Sequence, residues 1–290
     1  MLNNKKQSRR FPFGEKPKIA IVSLTSCEGC QFVMLDQGER FLNWLKKTDL
    51  DEFRLLEDKP MTAKHYDICF IEGNPVTKDN IQLLKKMRKI SDLLVVVGNC
   101  AALGGVWEIK NYQSASWRKK TIKQVYHKLK VPNPDIKEVD NFVKVDFTIP
   151  TCPIVGEEFM RLAEELVKGR MPRILQNPVC YQCQNNGYEC LLLKGEICLG
   201  PITLGGCEAV CLKSKQACWG CRGLFEGAQV FNLMTHLLNK FPRDQVYRVM
   251  EVFGARDTIL KEWSIQENEA EGSPSGKNEA EGSPSGKNIK

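Results

Sequence analysis

The sequence predicts an α/β protein, a doubly wound parallel sheet followed by a smaller, irregular domain built around cysteine. In the first 170 residues, short apolar runs alternate four times with loops and with segments of helical periodicity. That alternation is typical of parallel strands joined by crossover helices. Behind this region, eight cysteines lie between residues 180 and 221. The hydrophobic and charged contents, 42% and 27%, are those of a globular protein.

Four apolar runs are predicted to be the strands of the sheet. Each is short, continuous and followed by small or polar residues, as expected of a strand that is buried on both faces. The predicted strands are Lys18–Leu24, Tyr66–Ile71, Leu93–Val97 and Val143–Ile149.

Apolar residues at helical spacing follow each predicted strand. After the first strand, Leu35, Phe41, Leu42 and Leu45 fall on one side of a helix. The later helices are predicted over Asp79–Ile90, over Trp117–Leu129, and over a segment with Val155, Phe159, Leu162 and Leu166 on one side. Further helical patterns between residues 225 and 253 are expected to cover the cysteine-rich domain or to pack on the sheet.

Three of the four strand ends carry cysteine, and the remaining one carries Glu72. In open parallel sheets, ligands bind in the crevice beyond the carboxyl ends of the strands. Four thiolates from three loops would therefore converge there as a candidate metal site. They are Cys27, Cys30, Cys100 and Cys152.

Glycines in the same loops suit a chain that wraps closely around a bulky ligand. Gly29, Gly98, Gly104 and Gly105 are the candidates for this role. Cys69 differs from the four strand-end cysteines, because it lies inside the strand Tyr66–Ile71 and is flanked by apolar residues. A small buried hydrophobe is the simpler interpretation of Cys69.

The second set of cysteines begins and ends with a Cys-x2-Cys pair. Eight thiols at such spacings can form four disulfides, hold two zinc ions or hold two iron–sulfur clusters. The set comprises Cys180, Cys183, Cys190, Cys198, Cys207, Cys211, Cys218 and Cys221.

The likeness of Ser8–Phe11 to a twin-arginine export signal ends at Pro12, where no apolar segment follows. We therefore expect residues 1–16 to be a basic arm and the chain to remain in the cytoplasm, where disulfides are disfavoured.

No run of 18 apolar residues occurs, so no membrane span is expected. The formal charge of +7 is scattered and lacks an aromatic platform, which gives no support to nucleic-acid binding.

Without Cys69, the chain has twelve cysteines, the number of ligands that three [4Fe–4S] clusters take. The intermediate spacings also differ from those of paired zinc knuckles, and all three histidines lie outside the cysteine run. Clusters are therefore favoured over zinc. How the eight later cysteines divide between two clusters stays open at this point, because such runs can lend a ligand to the neighbouring cluster.

The predicted organisation has four parts. The basic arm, residues 1–16, precedes a flavodoxin-like domain, residues 17–172, which would hold one cluster. Residues 173–262 would form a domain with two further clusters and covering helices. A tandem ten-residue repeat dominates residues 263–290, which lack the apolar side chains needed for a core and are expected to be a disordered tail.

Together, these motifs resemble the small, electron-transferring subunits of nickel–iron hydrogenases. The absence of histidine from the cysteine run makes the cytoplasmic sulfhydrogenase and viologen-reducing types the nearest resemblance. The resemblance covers about residues 17–225 and is carried by Cys27–Cys30, Gly98–Cys100, Pro150–Pro153, Cys198–Cys207 and Cys218–Cys221.

The resemblance implies a protein that passes electrons between subunits. A separate large subunit would hold the nickel–iron centre, and the proximal cluster at the strand-end cysteines would exchange electrons with it. The two later clusters would connect to a flavin- or iron–sulfur-containing partner. The resemblance also suggests Glu28, between two proximal ligands, as a possible proton relay, although an exposed loop glutamate is an equal alternative. No catalytic residue and no flavin is expected in this chain.

Two other functions compete with this one. The chain could serve a related complex whose large subunit lacks nickel or acts on another substrate. Alternatively, it could be a zinc-ribbon binding module fused to a flavodoxin-like domain, in which case it would hold two zinc ions and no iron.

Overall fold

The computed structural model describes residues 16–56, 61–121 and 135–271. At its centre is a five-stranded parallel sheet with the order β2-β1-β3-β4-β5, which is the order of flavodoxin-like proteins. The α/β prediction is therefore confirmed. The strands are β1 (Lys18–Ser23), β2 (Asp49–Phe53), β3 (Tyr66–Glu72), β4 (Ser91–Val97) and β5 (Phe147–Ile149).

Both faces of the sheet are buried, as the apolar runs predict. Successive side chains of a strand point to opposite faces, so Ile19 and Ile21 enter one core while Ala20 and Val22 enter the other. The first core is rich in aromatic rings, and Phe70 packs edge-on against Phe159 at 5.8 Å between ring centroids. Helices cover each face, which is the doubly wound arrangement.

The helices lie close to the predicted segments. Those around the sheet are α1 (Gly29–Leu35), α2 (Glu39–Leu45), α3 (Lys78–Lys89), α4 (Asn99–Leu103), α5 (Ala115–Thr121) and α6 (Gly156–Val167), with 3₁₀ helices at Gly105–Tyr112 and Val139–Asn141. The later helices are α7 (Val179–Asn185), α8 (Val210–Lys213), α9 (Val230–Lys240), α10 (Arg243–Glu251) and α11 (Arg256–Glu271). The predicted continuation of α5 to Leu129 lies outside the described residues.

Three elements differ from the sequence-based prediction. Strand β2 was not predicted, because its sequence, Asp-Leu-Asp-Glu-Phe, is acidic and lacks an apolar run; the strand pairs only with β1 at the sheet edge. The single helix predicted after Cys30 is two helices, since Gly38 between them adopts a φ of 54°. Strand β5 is shorter than predicted, and Val143 and Val145 pack against the core from the preceding loop.

The later part of the chain contributes a separate apolar cluster, formed mainly by α9, α10 and α11 together with Leu199 and Ile202. Helix α11 continues to Glu271, beyond the start of the predicted tail at residue 263. Trp263 packs against the cluster, and the amide of Gln266 donates to Ala228 O and accepts from Phe231 N, which extends the helix. Residues 272–290 and the predicted arm up to residue 15 lie outside the described residues.

In the described ranges, no helix combines the length and the apolar character needed to cross a bilayer.

Candidate metal centres

The four strand-end cysteines meet at the carboxyl edge of the sheet. Cys27 and Cys30 follow β1, Cys100 lies in α4 directly after β4, and Cys152 follows β5. Cys100 and Cys152 contribute to raising the pKa of Cys30, and Cys152 and Cys27 to raising the pKa of Cys100, as expected of thiols that lie near one another. The topology therefore brings together all four residues that the sequence suggests, and we call them the sheet-edge quartet.

Backbone and side-chain contacts hold the loops of the sheet-edge quartet. The carboxylate of Glu72, at the end of β3, accepts a hydrogen bond from Cys30 N at 3.1 Å. The side chain of Asn74 donates to Cys100 O at 2.7 Å. Glu72 is buried, so it acts on the loop from inside the protein. The pattern that singled out Glu72 as a strand end thus identified a residue that positions a cysteine.

Strained backbone is concentrated beside the cysteines. Glu28, Thr151 and Glu208 have φ values of 60°, 108° and 54°, in a region that non-glycine residues rarely occupy. Each is a direct chain neighbour of a cysteine: Cys27, Cys152 and Cys207, respectively. Strain of this kind persists where the surrounding structure imposes it and is often found at ligand sites.

Glycines leave room for the thiols of the sheet-edge quartet. A Cβ on Gly98 would lie 2.5 Å from Cys30 Sγ, and one on Gly105 would lie 2.9 Å from Cys100 Sγ. A Cβ on Gly29 would lie 3.3 Å from Cys27 Sγ. Gly104, which the sequence suggested, instead faces the side chain of Glu108. The close approach to Cys100 is made by Gly105, which the sequence also suggested.

A second group of cysteines encloses a small apolar cavity of 50 Å³. The thiol of Cys180 is electrostatically coupled to the other three members. Gly200 lies against this group, because a Cβ there would be 3.3 Å from Cys180 Sγ and 3.4 Å from Cys198 Sγ. We call this group the outer quartet. One of its members, Cys190, is exposed. Its members are Cys180, Cys183, Cys190 and Cys198.

The remaining four cysteines lie between the other two groups. Cys221 is coupled to Cys207 and Cys211, and on its other side to Cys152 of the sheet-edge quartet. Cys218 N donates to Cys198 Sγ of the outer quartet at 3.4 Å. We call this group the middle quartet; it comprises Cys207, Cys211, Cys218 and Cys221. The middle quartet thus adjoins both of the others, and we call this succession of three quartets the row.

The spacing within the quartets distinguishes between zinc and a cluster. A tetrahedral zinc ion with bonds of about 2.3 Å to sulfur would place its ligands roughly 3.8 Å apart. All thirteen cysteines are in the described ranges and are free, and no three of their sulfurs lie within 4.8 Å of one another. Four thiolates around an iron–sulfur core stand further apart, because the irons lie between them. The donor set and its spacing therefore fit [4Fe–4S] clusters better than zinc.

Burial gives these thiols unusual acid–base properties. It is the main cause that raises the pKa of Cys100, Cys180 and Cys221 to about 12, and neighbouring thiols contribute. Burial likewise raises the pKa of Cys218. Buried thiolates without a counter-charge are costly, so cationic iron would stabilise the deprotonated form that binds metal.

Cys69 behaves as the sequence predicted. It is completely buried in the core on one face of the sheet, among Tyr66, Leu84 and Leu94. Burial raises the pKa of its thiol to about 12. It contributes to packing and is not part of any quartet.

Two bridging side chains connect the sheet to the middle quartet, and sequence reasoning missed both. Arg222 donates to the carboxylate of Glu158 at 2.8 and 2.9 Å and also to Thr151 Oγ1. Asn99 Nδ2 donates to Cys221 O at 2.9 Å. Their only sequence signal is adjacency to cysteine, since Arg222 follows Cys221 and Asn99 precedes Cys100.

Comparison with known proteins finds relatives of this chain among oxidoreductase subunits. Residues 27–166 match the family described as "NADH ubiquinone oxidoreductase, 20 Kd subunit". The chain is 33% identical over 241 residues to "Sulfhydrogenase 2 subunit delta" of Pyrococcus furiosus, covering 81% of this chain and 98% of the relative. It is also 32% identical over 169 residues to "NAD-reducing hydrogenase HoxS subunit delta" of Cupriavidus necator, covering 53% of this chain and 80% of the relative.

A solved structure shows a similar likeness. A chain of an NAD⁺-reducing [NiFe]-hydrogenase in the H₂-reduced state is 27% identical, with a TM-score of 0.48. The match covers 55% of this chain and 96% of that one.

Proposed function

Because this chain belongs to the family of small subunits of nickel–iron hydrogenases, we propose that it is the electron-transfer subunit of such a complex. Its twelve clustered cysteines would hold three [4Fe–4S] clusters between a large subunit, which carries the nickel–iron centre, and a redox partner. The observation that carries the proposal is the row of three cysteine quartets, with Cys221 adjoining the sheet-edge quartet and Cys198 adjoining Cys218.

Each quartet would hold one cluster. The sheet-edge quartet would bind the proximal cluster, the middle quartet the next one, and the outer quartet the last. This grouping is supported by the cavity that the outer quartet encloses and by the coupling of Cys221 to Cys207 and Cys211. It divides the cysteine run at its midpoint, so that no cysteine is lent to a neighbouring cluster.

A bound [4Fe–4S] cluster supplies reversible one-electron transfer. The protein residues keep the sites close together, exclude water and fix the thiolates. Asn99 and Arg222 connect the loop of Cys100 and the strand end near Cys152 to the segment that holds Cys221. Buried glycines and the Glu72 carboxylate shape the sheet-edge site. Hydrogen bonds to cysteine sulfur, such as that from Cys218 N, would help to set the potentials.

The proposed partners lie at the two ends of the row. The large subunit would cover the sheet-edge quartet, where Cys27 is exposed and Glu28 is half-buried; Glu28 could pass protons leaving that subunit. A flavin- or iron–sulfur-containing subunit would approach the outer quartet, where Cys190 reaches the surface. Thirteen free cysteines support a reducing compartment, so we place the complex in the cytoplasm.

Metal analysis of the purified protein tests this proposal. We expect about twelve irons per chain, with a similar amount of acid-labile sulfide, because each [4Fe–4S] cluster contains four of each. Broad visible absorbance should accompany the iron. Two zinc ions and a colourless protein would contradict the proposal and support the zinc-ribbon alternative.

A further inference from the structure

A polar cavity of 790 Å³ is lined in part by Glu108 and has no part in the function proposed above. Its walls are the 3₁₀ helix Gly105–Tyr112, residues 135–141 and the start of α11. The 3₁₀ helix begins directly after α4, the helix that carries Cys100. One wall of the cavity therefore belongs to the segment that directly follows the Cys100 helix.

Glu108 stands between this cavity and the loop of Cys100. It is 4% exposed, and among the described residues its Oε2 atom has no hydrogen-bond partner. A Cβ on Gly254 would lie 2.5 Å from Glu108 Oε2 and 2.9 Å from Gly105 N. A Cβ on Gly105 would in turn lie 2.9 Å from Cys100 Sγ. The backbone of Gly105 therefore lies close both to the Glu108 carboxyl group and to Cys100.

The charges around Glu108 make it a poor permanent anion. Burial, followed by the charges of Glu138 and Asp257, raises the pKa of Glu108 to about 8. Tyr112, on the same 3₁₀ helix, is also partly buried, and burial followed by Glu108 raises its pKa. The bases that line the cavity are Lys137, Arg256 and Lys261.

Arg256 does little to offset these acids. Its guanidinium pairs with Glu251 at 2.6 Å and is stacked between the rings of Tyr112 and Tyr247, at 4.8 and 4.6 Å. This base is thus held by partners other than Glu108. A negative charge added at a neighbouring site disfavours the ionised form of a buried carboxyl group. The carboxyl group is therefore expected to bind a proton when that charge is added.

We propose that, at alkaline pH, Glu108 takes up a proton from the cavity when the centre at the sheet-edge quartet is reduced, and releases it on reoxidation. The inference rests on the proposed function, which provides that centre and its electron. One electron arrives from the hydrogen-oxidising partner, and one proton moves from cavity water to the Glu108 carboxylate. On reoxidation the electron leaves towards the acceptor and the proton returns to water, so charge balances in both directions.

The sign of the pH dependence follows from this exchange. Well below pH 8, Glu108 carries its proton in both redox states, and the midpoint potential should not change with pH. At higher pH, the oxidised state loses the proton first. The resulting carboxylate disfavours the added electron, so the potential should fall as pH rises.

The test is a redox titration of the intact complex at several pH values, followed by electron paramagnetic resonance. In the wild type, the potential of the centre at the sheet-edge quartet should be constant at low pH and should fall above about pH 8. Glu108→Gln should abolish the fall and hold the potential at its low-pH value. Glu138→Gln should move the onset to lower pH, because it removes a charge that raises the pKa of Glu108. Glu39→Gln, a change at an exposed residue, should behave as the wild type.

Infrared difference spectra of the reduced and oxidised complex provide an independent readout. A band from a protonated carboxyl group should appear on reduction above pH 8 and be missing in Glu108→Gln. An unchanged pH dependence in Glu108→Gln, or a potential that never varies with pH in the wild type, would overturn this inference alone. A complex with no reducible iron–sulfur centre would overturn the proposed function and this inference with it.

Discussion

Replacing Cys152 by alanine is expected to remove about one third of the iron, leaving about eight irons per chain instead of twelve. The sheet-edge quartet would lose one of its four thiolates, and no other cysteine lies in the strand-end loops to replace it. The signal of one reduced cluster should disappear, whereas the centres at the middle and outer quartets should persist. Iron analysis and electron paramagnetic resonance of the reduced protein measure both effects.

Cys69→Ala is the matched control for this substitution. Cys69 also lies in the sheet domain, but it is completely buried in the core and belongs to none of the quartets. The variant should retain all of its iron and lose only a little stability through a small cavity. Equal iron loss in Cys69→Ala and Cys152→Ala would contradict the division of the cysteines into ligands and core.

Arg222→Met is expected to lower the free energy of unfolding by about 3–5 kcal/mol, which is typical when one partner of a buried ion pair is removed. The side chain of Arg222 is fully buried, and its partner Glu158 is 9% exposed. Removing the guanidinium leaves the carboxylate buried without its bidentate partner, and it also removes the donor to Thr151. Urea unfolding of the full chain gives the comparison.

Two further variants separate this effect from simple loss of an arginine. Arg248→Met breaks the exposed pair with Asp244 and should cost only about 0.3–0.5 kcal/mol. Arg222→Met combined with Glu158→Leu should recover much of the lost stability, since no unpaired buried charge remains. A single Arg222→Met variant as stable as Arg248→Met would show that the pair does not hold the sheet to the middle quartet.

The parts of the fold that the sequence predicted are those governed by short-range patterns. Continuous apolar runs such as Leu93–Val97 are expected to be buried, and loops that follow parallel strands must meet at one edge of the sheet. The cysteines in those loops were therefore predictable as a group. The resemblance to hydrogenase small subunits, which these motifs carried, is confirmed by the similarity to the sulfhydrogenase delta subunit.

The parts that could not be predicted depend on tertiary contacts. Strand β2 forms because β1 offers it an edge, not because its acidic sequence favours a strand. The pairing of Arg222 with Glu158 joins residues 64 positions apart, and nothing in either local sequence indicates the other. The same holds for Glu108, because its position near the loop of Cys100 depends on the close approach of the backbone at Gly254 and Gly105. The division of the eight later cysteines likewise required their positions in space.

The reduction of the intact complex by hydrogen tests the central claim, the relay of electrons along three quartets, most directly. We expect hydrogen alone to reduce the iron–sulfur centres of this chain and, through them, an added viologen dye, in a complex that contains nickel. The contradicting result is a complex whose centres are reduced by dithionite but are unaffected by hydrogen, with no nickel present. Such a protein would carry electrons for another substrate.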